Sequence, residues 1–212
     1  MKNDDDEITA ASGFFEPMYA ASSTAGEGLP WAYMQANGQL VEWLDGQAPK
    51  THRRNQRAMV TGCGLGDDAE EIARRGWDVM AFDVSESAIG LCLERFPKSP
   101  VDYRIADLFQ PPDDWRGAFD LVFDNRTVQS LPYDLQPRAM ASVAGLVASG
   151  GRLVIITEIV TPEHLSQNPP YRMLAESLTA YEDAGFGRQS WDEIPHRDDP
   201  PSRHARVVYS RS

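Results

Sequence analysis

The chain has 212 residues, of which 42% are hydrophobic and 25% charged, an ordinary composition for one globular domain. Its formal net charge of −12 argues against a nucleic-acid partner, because binding to a phosphate backbone depends on Lys and Arg contacts. No stretch approaches the roughly 20 apolar residues that span a bilayer, and two cysteines without metal-ligand spacing favour a cytoplasmic protein with no membrane contact and no metal site.

The first part of the chain is predicted to be a flexible segment followed by a lid helix. Residues 1–29 begin with an acidic run and contain no basic region followed by an apolar run, so no cleaved signal is expected. Residues 30–44, PWAYMQANGQLVEWL, have the apolar spacing of an amphipathic helix, with Pro30 near its start. We expect residues 30–212 to form a single domain headed by this helix.

From residue 57 onward, short apolar runs alternate with helical patterns. The runs predict strands at 57–61, 78–83, 101–105, 119–124 and 152–159. Helices are predicted between them at 67–75, 85–96 and 135–147. This alternation is typical of parallel strands joined by crossover helices, and it predicts a doubly wound α/β fold.

The pattern changes after the fifth strand. A polar loop at 160–172 precedes a predicted helix at about 173–184, which ends at Gly185. Extended segments at 188–194 and 205–210 follow, joined by the turn-rich sequence DDPPSR. We expect a closing hairpin with one strand antiparallel to the rest, which gives a mostly parallel sheet of seven strands.

A glycine-rich turn connects the first predicted strand to the first crossover helix. Gly62, Gly64 and Gly66 lie directly after RAMVT, where glycine lets the backbone turn tightly and approach a ligand. Asp83 lies at the end of the second strand, 21 residues after Gly62, where a carboxylate can accept both hydroxyls of a ribose. The combination predicts a site for a nucleoside cofactor.

The spacing of this turn favours a cofactor without phosphate. The dinucleotide fingerprint requires a glycine three residues after the second one, whereas Gly66 comes after two. Asp67 and Asp68 then begin the helix, and we expect their charge to repel a pyrophosphate. The cationic S-adenosylmethionine suits such a site better, with Asp107 near its adenine amino group.

The motifs VTGCGLGDD, AFDVSESAI, ADLF, FDLVFD and SGGRLVIIT follow one another in this order. The stretch from Trp31 to Arg211 thereby resembles a class I S-adenosylmethionine-dependent methyltransferase. Its LPW segment and its PPYRML loop are similar to the thiopurine S-methyltransferase-like branch. The resemblance implies a Rossmann-like methyltransferase fold and S-adenosyl-L-methionine as cofactor. The residues that it implies for cofactor binding are Trp31, Gly62, Gly64, Gly66, Asp83, Val84, Asp107, Leu108, Asp124 and Asn125.

The segment after the fourth strand is predicted to face the methyl acceptor, because ligands of open α/β sheets bind beyond the carboxyl ends of the strands. The predicted catalytic residues are Arg126 and Gln129, and the predicted substrate-binding residues are Trp31, Arg126 and Tyr171. The guanidinium of Arg126 can hold an acidic or planar acceptor, or stabilise a thiolate. The alternative is a salt bridge to Asp120 or Asp124.

Residues 168–171 spell NPPY, a tetrapeptide with which many amino-methyltransferases hold the acceptor nitrogen. In those enzymes it comes directly at the end of the fourth strand, whereas here it follows the fifth strand and a polar spacer. We therefore interpret it as part of a loop over the acceptor pocket, with Tyr171 packing on the substrate.

No His, Lys or Tyr lies at 124–129, and His196 and His204, which flank the hairpin turn, are expected to be exposed. Without a protein base, a thiol is the easiest acceptor, because with a pKa near about 8.5 it already offers some thiolate at neutral pH. The sequence predicts a small-molecule methyltransferase acting on a thiol. The alternatives are an O-methyltransferase, a catalytically silent cofactor-binding protein or a dehydrogenase. No oligomeric state is predicted.

Overall fold

The computed structural model describes residues 13–47, 56–195 and 202–212. The chain divides into two compact units, Met1–Pro111 and Pro112–Ser212, which we call the N-terminal and the C-terminal unit. Every helix among the described residues is too short or too polar to span a bilayer.

Three parallel strands form the sheet of the N-terminal unit, in the order β3-β2-β1. They are β1 (Arg57–Thr61), β2 (Asp78–Asp83) and β3 (Asp102–Ile105). The middle of β1 is fully buried. Continuous apolar runs such as this one form strands that are covered on both faces, which is the usual setting of a parallel sheet.

The described residues of the same unit form four α-helices. They are α1 (Glu16–Ala20), α2 (Gly38–Gly46), α3 (Asp67–Arg74) and α4 (Glu86–Arg95). Helix α3 begins directly after Gly66, whose φ of 87° few other residues adopt. Helix α4 is capped by Ser85, whose hydroxyl accepts a hydrogen bond from the Ala88 N–H, as its sequence predicts. The crossover helices therefore begin at local signals that are visible in the sequence.

The described residues of the C-terminal unit form five strands and two α-helices. The strands are β4 (Phe119–Asn125), β5 (Val147–Val160), β6 (Met173–Leu174), β7 (Phe186–Pro195) and β8 (Arg203–Arg211). The helices are α5 (Gln136–Leu146) and α6 (Ala180–Asp183). Strand β4 is parallel to β5, and β8 lies antiparallel between β5 and β7. The predicted closing hairpin is confirmed.

The doubly wound, mostly parallel α/β fold is confirmed, but the predicted number of strands was too low. The described residues form eight strands rather than seven. The additional strand is β6, whose two residues pair with the end of β5. A two-residue strand has too little sequence to show a period, so its pairing with β5 cannot be read locally.

The helix predicted at about 173–184 is wrong in its first half. Met173 is 1% exposed and pairs with Ile159, so burial against β5 takes these residues out of the helix. A 3₁₀ turn, Ala175–Thr179, leads into the short helix α6. Only the end of the predicted helix, just before Gly185, is α-helical.

The lid helix predicted at residues 30–44 begins eight residues later, at Gly38. Asn37 is its N-cap, since its side chain accepts a hydrogen bond from the Gln39 N–H at 2.9 Å. Upstream, Met34 has a φ of 56°, which no right-handed helix contains. The Asn37 N–H donates to a carboxylate oxygen of Asp68 at 2.7 Å, and this contact fixes where the helix starts.

Part of the segment predicted as flexible, residues 1–29, is a helix attached to α4. The Glu16 carboxylate of α1 accepts hydrogen bonds from the hydroxyls of Ser85 and Ser87 at 2.6 and 2.5 Å, and from the Ser87 N–H at 3.2 Å. These hydrogen bonds, the one from Ser85 foremost, lower the pKa of Glu16. A carboxylate at the start of α4 also complements the helix dipole. Residues 1–12 lie outside the described residues.

We predict that acid detaches α1 from α4. Because the folded-state pKa of Glu16 lies below that of the unfolded chain, its stabilisation is complete above the unfolded value and is lost as the pH falls through the folded value. Glu16→Gln should give the same detachment at neutral pH, seen as faster hydrogen exchange in residues 16–20. Glu86→Gln, at an exposed position in the first turn of α4, is the control. Equal exchange in the Glu16 and Glu86 variants would contradict this role.

Candidate functional site

The glycine-rich turn of the N-terminal unit runs from the buried Thr61 at the end of β1 into α3. Gly62, Gly64 and Gly66 have φ values of 52°, 54° and 87°, in the left-handed region that glycine adopts without strain. The Cys63 N–H donates to the Phe82 carbonyl at 2.9 Å, which ties the turn to β2. The backbone therefore makes a tight cradle at the start of a helix, as the spacing predicts.

The cradle is held from behind by three side chains. Asp83 accepts a hydrogen bond from the Gly64 N–H at 3.0 Å, and Cys92 donates to the Gly64 carbonyl at 3.1 Å. Arg95 donates to the Leu65 carbonyl. Both backbone groups of Gly64 are thus bound by the protein, which fixes the turn before any ligand arrives.

Asp83 is the buried junction between the cradle and α4. One of its oxygens accepts from Gly64, and the other accepts from the Ser85 N–H at 3.0 Å. Burial raises the pKa of Asp83, and the hydrogen bonds from the Ser85, Gly64 and Val84 N–H groups oppose that rise. The carboxylate predicted to bind ribose therefore also organises the backbone around it.

Gly66 is the position where the cradle leaves no room for a side chain. A Cβ added there would lie 2.5 Å from the Tyr103 hydroxyl and 3.1 Å from the Cys92 sulfur. Tyr103 is fixed in turn, since its hydroxyl donates to Glu70 at 2.8 Å. The close approach of these two side chains, together with the positive φ, explains why this position is a glycine.

The charges at the start of α3 are paired, which corrects one part of the sequence argument. Asp67 accepts two hydrogen bonds from the guanidinium of Arg95, at 2.9 and 2.8 Å. Asp68 accepts from the Asn37 N–H. Because Arg95 balances the charge of Asp67, the expected repulsion of a phosphate by these two residues is weaker than their sequence suggests. The argument against a dinucleotide therefore rests on the glycine spacing.

The remaining predicted cofactor residues of this unit lie at the ends of neighbouring strands. The Asp83 carbonyl accepts a hydrogen bond from the Ala106 N–H at 3.1 Å, so the segments carrying Asp83 and Asp107 lie side by side. One oxygen of Asp107 accepts from the Phe109 N–H at 2.8 Å. Leu108 is buried and Val84 is half-buried. The structure thus brings these residues together with the glycine turn.

An aromatic pair from the N-terminal segment covers the cradle. The Trp31 indole donates to the Tyr19 hydroxyl at 3.0 Å, and this hydroxyl lies 3.0 Å from where a Cβ of Gly64 would be. The sequence predicted Trp31 here but missed Tyr19, which lay in the segment expected to be flexible. The signal that was available is EPMY, an acidic residue and a proline in the order that starts a helix.

The predicted acceptor-side residues belong to the C-terminal unit. Asp124 is 1% exposed at the end of β4, and Asn125 and Arg126 follow it. The Arg126 N–H donates to the Ile156 carbonyl at 2.8 Å, although its φ of 64° is unusual for a residue with a side chain. The backbone of this segment is therefore tied to β5 just beyond the end of β4.

The guanidinium of Arg126 lies in a cluster of charged and titratable side chains. Its Nη2 atom is 3.1 Å from Nδ1 of His204 and 3.7 Å from a carboxylate oxygen of Glu158. Arg172 donates to the other oxygen of Glu158 at 2.8 Å. Glu158 is thus an acidic partner of Arg126 that the sequence did not predict, beside the alternative partners Asp120 and Asp124. His204, expected to be exposed, is half-buried.

Gln129 is buried and hydrogen-bonded within the protein. The residue is 2% exposed. Its side-chain carbonyl accepts hydrogen bonds from the Thr157 hydroxyl at 2.7 Å and from the Glu158 N–H at 2.6 Å. These contacts hold the segment after β4 against β5. Gln129 was predicted to be catalytic, and its geometry instead suits a residue that positions its neighbours.

The loop that carries NPPY rests on the segment after β4. The Tyr171 N–H donates to the Gln129 carbonyl at 2.7 Å, and its own carbonyl accepts from the Gln136 side chain at 2.9 Å. The Tyr171 ring packs edge-on against Tyr133 at a centroid distance of 5.5 Å. This loop thus meets the residues predicted to face the acceptor, although it follows a different strand.

Sequence reasoning missed Glu158 and His204. Glu158 is 7% exposed within the apolar run RLVIITEI, and a buried carboxylate requires partners. That requirement was a readable signal that a cation lies nearby. Which residues surround it could not be read, because the two cations, Arg126 and Arg172, and the neighbouring His204 come from separate parts of the chain.

The fold and the glycine cradle define an α/β enzyme that binds a nucleoside cofactor. A family model described as a methyltransferase domain matches residues 59–155, which contain the turn and Asp83. The chain is a class I S-adenosylmethionine-dependent methyltransferase, and S-adenosylmethionine is its cofactor.

Known methyltransferases resemble the chain over most of its length. Thiocyanate methyltransferase 1 of Arabidopsis thaliana is 27% identical over 79% of this chain and 72% of its own. The probable thiol methyltransferase 2 of the same plant is 27% identical over 81% of this chain and 71% of its own. Magnesium protoporphyrin IX methyltransferase of Synechocystis PCC 6803, solved with S-adenosylhomocysteine, shares the fold at a TM-score of 0.71 with 16% identity, covering 98% of this chain and 100% of its own.

We predict that Asp83→Ala weakens cofactor binding. The substitution removes a charged acceptor and leaves the Gly64 and Ser85 N–H groups without it, so both the ribose contact and the shape of the cradle are affected. The expected loss is roughly 1.5 to 3 kcal/mol per charge-assisted hydrogen bond, measured by calorimetric titration with S-adenosylhomocysteine. Asp78→Ala, at the exposed start of the same strand, is the control. An affinity equal to that of the control would mean that the ribose partner lies elsewhere.

Proposed function

We propose that this methyltransferase acts on the sulfur of a small thiol. The observation that carries the proposal is the guanidinium of Arg126, held beyond the end of β4 by His204 and Glu158. A fixed cation beyond a strand end stabilises an anion that binds there, and a thiolate is such an anion. The curated relatives named for thiocyanate and thiol methylation support the same acceptor class.

The cofactor and the protein have separate tasks in this reaction. When bound, S-adenosylmethionine would supply the methyl group of its sulfonium to the acceptor thiolate and leave as S-adenosylhomocysteine, the thiol having lost its proton to solvent beforehand. In the N-terminal unit, Asp83, Asp107 and the glycine cradle would hold the cofactor, with Trp31 against it. In the C-terminal unit, Arg126 would hold the acceptor anion and Tyr171 would pack on it.

The proposed acceptor needs little acid–base help from the protein. A thiol ionises near about pH 8.5 in water, and a nearby guanidinium favours its thiolate form. The enzyme would then mainly hold the acceptor in place, and orientation of this kind can contribute about 7 to 11 kcal/mol of barrier reduction in favourable cases. Gln129 would contribute by fixing the segment that carries Arg126.

We also propose that the partner of the enzyme is a small molecule and that its compartment is the cytoplasm. The formal net charge of −12 suits a small-molecule acceptor better than a nucleic acid. Both cysteines are free thiols, which agrees with the reducing conditions of the cytoplasm.

We predict that the pH dependence of methyl transfer follows the acceptor. With labelled S-adenosylmethionine and two thiols of different pKa, the main inflection of rate against pH should move with the thiol, because the ionisation belongs to the substrate. A phenol and an amine tested alongside cover the O- and N-acceptors. A main inflection that stays fixed for both thiols would assign the rate-determining ionisation to the protein instead of to the acceptor. Cofactor binding without transfer to any acceptor would mean a catalytically silent protein.

We predict that Arg126→Ala raises the Michaelis constant for the thiol by about tenfold or more, since a hydrogen bond to a charged group contributes about 1.5 to 3 kcal/mol. Affinity for S-adenosylhomocysteine should stay close to that of the unmodified protein. The control is Arg116→Ala, which removes an arginine of the same unit whose side chain is 67% exposed. A loss of cofactor affinity equal to the loss of acceptor affinity would assign Arg126 to the cofactor instead.

A further inference from the structure

We propose that His204 is a positioning residue of the acceptor site, which holds the guanidinium of Arg126 only while its imidazole is neutral. The inference rests on the proposed function, because it assigns Arg126 to the acceptor. It adds His204 of β8 to the acceptor site. It also makes the position of the Arg126 guanidinium depend on pH, because only the neutral imidazole can accept a hydrogen bond from it.

The position of His204 is set by the sheet. On β8 it lies directly opposite Glu158 of β5 on one side and Ile194 of β7 on the other. Paired residues of neighbouring strands point to the same face, so His204 and Glu158 share a face. Arg126 reaches this face from the segment after β4, and its Nη2 atom lies 3.1 Å from Nδ1 of His204.

The chemistry of the two groups decides the protonation state. A guanidinium has only N–H donors and keeps its proton, so Nδ1 of His204 must be the acceptor in this contact. The imidazole is then neutral, with its proton on Nε2. A protonated imidazole carries hydrogen on both nitrogens, and it would meet the guanidinium as a like charge with no acceptor to offer.

The surrounding charges oppose protonation. Arg126 and Arg172 already share the single carboxylate of Glu158, at 3.7 and 2.8 Å. An imidazolium would bring a third positive charge to that one carboxylate. Along the same face of the hairpin, Arg206 of β8 is paired with Asp192 of β7 at 3.0 Å.

The charged groups on the opposite face of the sheet do not change the charge around the His204 imidazole. Arg203 and Glu193 pair with each other at 2.9 Å, and both lie at positions whose side chains point away from His204. From β5, the residue opposite His204 is Glu158, and from β7 it is the apolar Ile194. Among the described residues, Glu158 is the acidic residue directly opposite His204, and two arginines already engage it, while Asp192 on the same face is paired with Arg206.

Contacts to other residues fix both the backbone and the guanidinium of Arg126. A left-handed backbone conformation is unfavourable at a residue with a side chain, and it persists where the surrounding contacts hold it in place. The Ile156 carbonyl and the Ser130 hydroxyl fix the two backbone groups of Arg126 at 2.8 Å each. The side chain is long and flexible, and His204 and Glu158 fix its end. Protonation of His204 releases one of these two contacts.

The test uses thiocyanate as acceptor, because it stays an anion throughout the range studied and contributes no ionisation of its own. Between about pH 5 and pH 8, where histidine titrates, kcat/KM of the unmodified protein should fall on the acid side. His204→Gln should abolish that acid limb, since a side-chain amide accepts from Arg126 at every pH. His204→Leu should raise the Michaelis constant for thiocyanate by about tenfold at neutral pH.

Two outcomes of the kinetic test would overturn the proposal. One is an acid limb that persists unchanged in His204→Gln, and the other is an unaltered Michaelis constant in His204→Leu. The His164→Gln variant, at an exposed loop position, is the control and should keep the acid limb. Calorimetry with S-adenosylhomocysteine should show the same cofactor affinity for every variant, which separates a change at the acceptor from general unfolding.

A second measurement does not depend on methyl transfer. Nitrogen NMR of the four imidazoles, assigned by single substitutions, reports which nitrogen of His204 carries the proton. We expect Nε2 to be protonated and Nδ1 to be free of hydrogen, with this preference lost in Arg126→Ala. A proton on Nδ1 would refute the role of His204, even in an active enzyme. The expected tautomer with no transfer to any thiol would instead refute the proposed function alone.

Discussion

The carboxylate of Asp83 is the contact on which the cofactor half of this protein depends. It is 6% exposed, and its two oxygens accept backbone hydrogen bonds from Gly64 in the glycine turn and from Ser85 at the start of α4. A buried carboxylate without such donors would be costly, so the charge and the shape of the turn stabilise each other. The N-terminal segment adds to the same place, because Glu16 binds Ser85 and Ser87. The glycine turn and the start of α4 therefore meet at Asp83, and α1 is attached to the same helix start by a second carboxylate, that of Glu16.

The C-terminal unit uses a second buried carboxylate in a comparable way. Glu158 engages Arg126 and Arg172, and its N–H donates to the buried Gln129. Gln129 in turn connects the segment after β4 to the loop before β6 through the Tyr171 N–H. Replacing either arginine would leave a buried charge less well balanced, so stability and acceptor binding are coupled at this carboxylate. Side chains that contact no acceptor can then still affect the affinity for it.

A methyltransferase for thiols places modest demands on such a site. The acceptor is a good nucleophile once ionised, so an arginine that favours the anion and a scaffold that keeps the arginine in place are sufficient. A side chain that must deprotonate an alcohol would need an open acceptor atom, and Nδ1 of His204 already accepts from Arg126. The same histidine thus helps a thiolate more readily than it helps an alcohol.

The sequence by itself determined the doubly wound α/β fold, the order of its elements and the glycine cradle with Asp83. These features depend on signals within a few residues of one another, such as the apolar runs of the strands, Ser85 as a helix cap and the glycines of the turn. The tertiary structure alone decided where α2 begins, that Tyr19 covers the cradle, that Met173 joins a strand and that His204 and Glu158 surround Arg126. Each of these depends on a partner far along the chain, such as Asp68 for Asn37 at a separation of 31 residues and His204 for Arg126 at 78. Contacts over such separations are chosen by packing of the whole chain, and no local pattern records them.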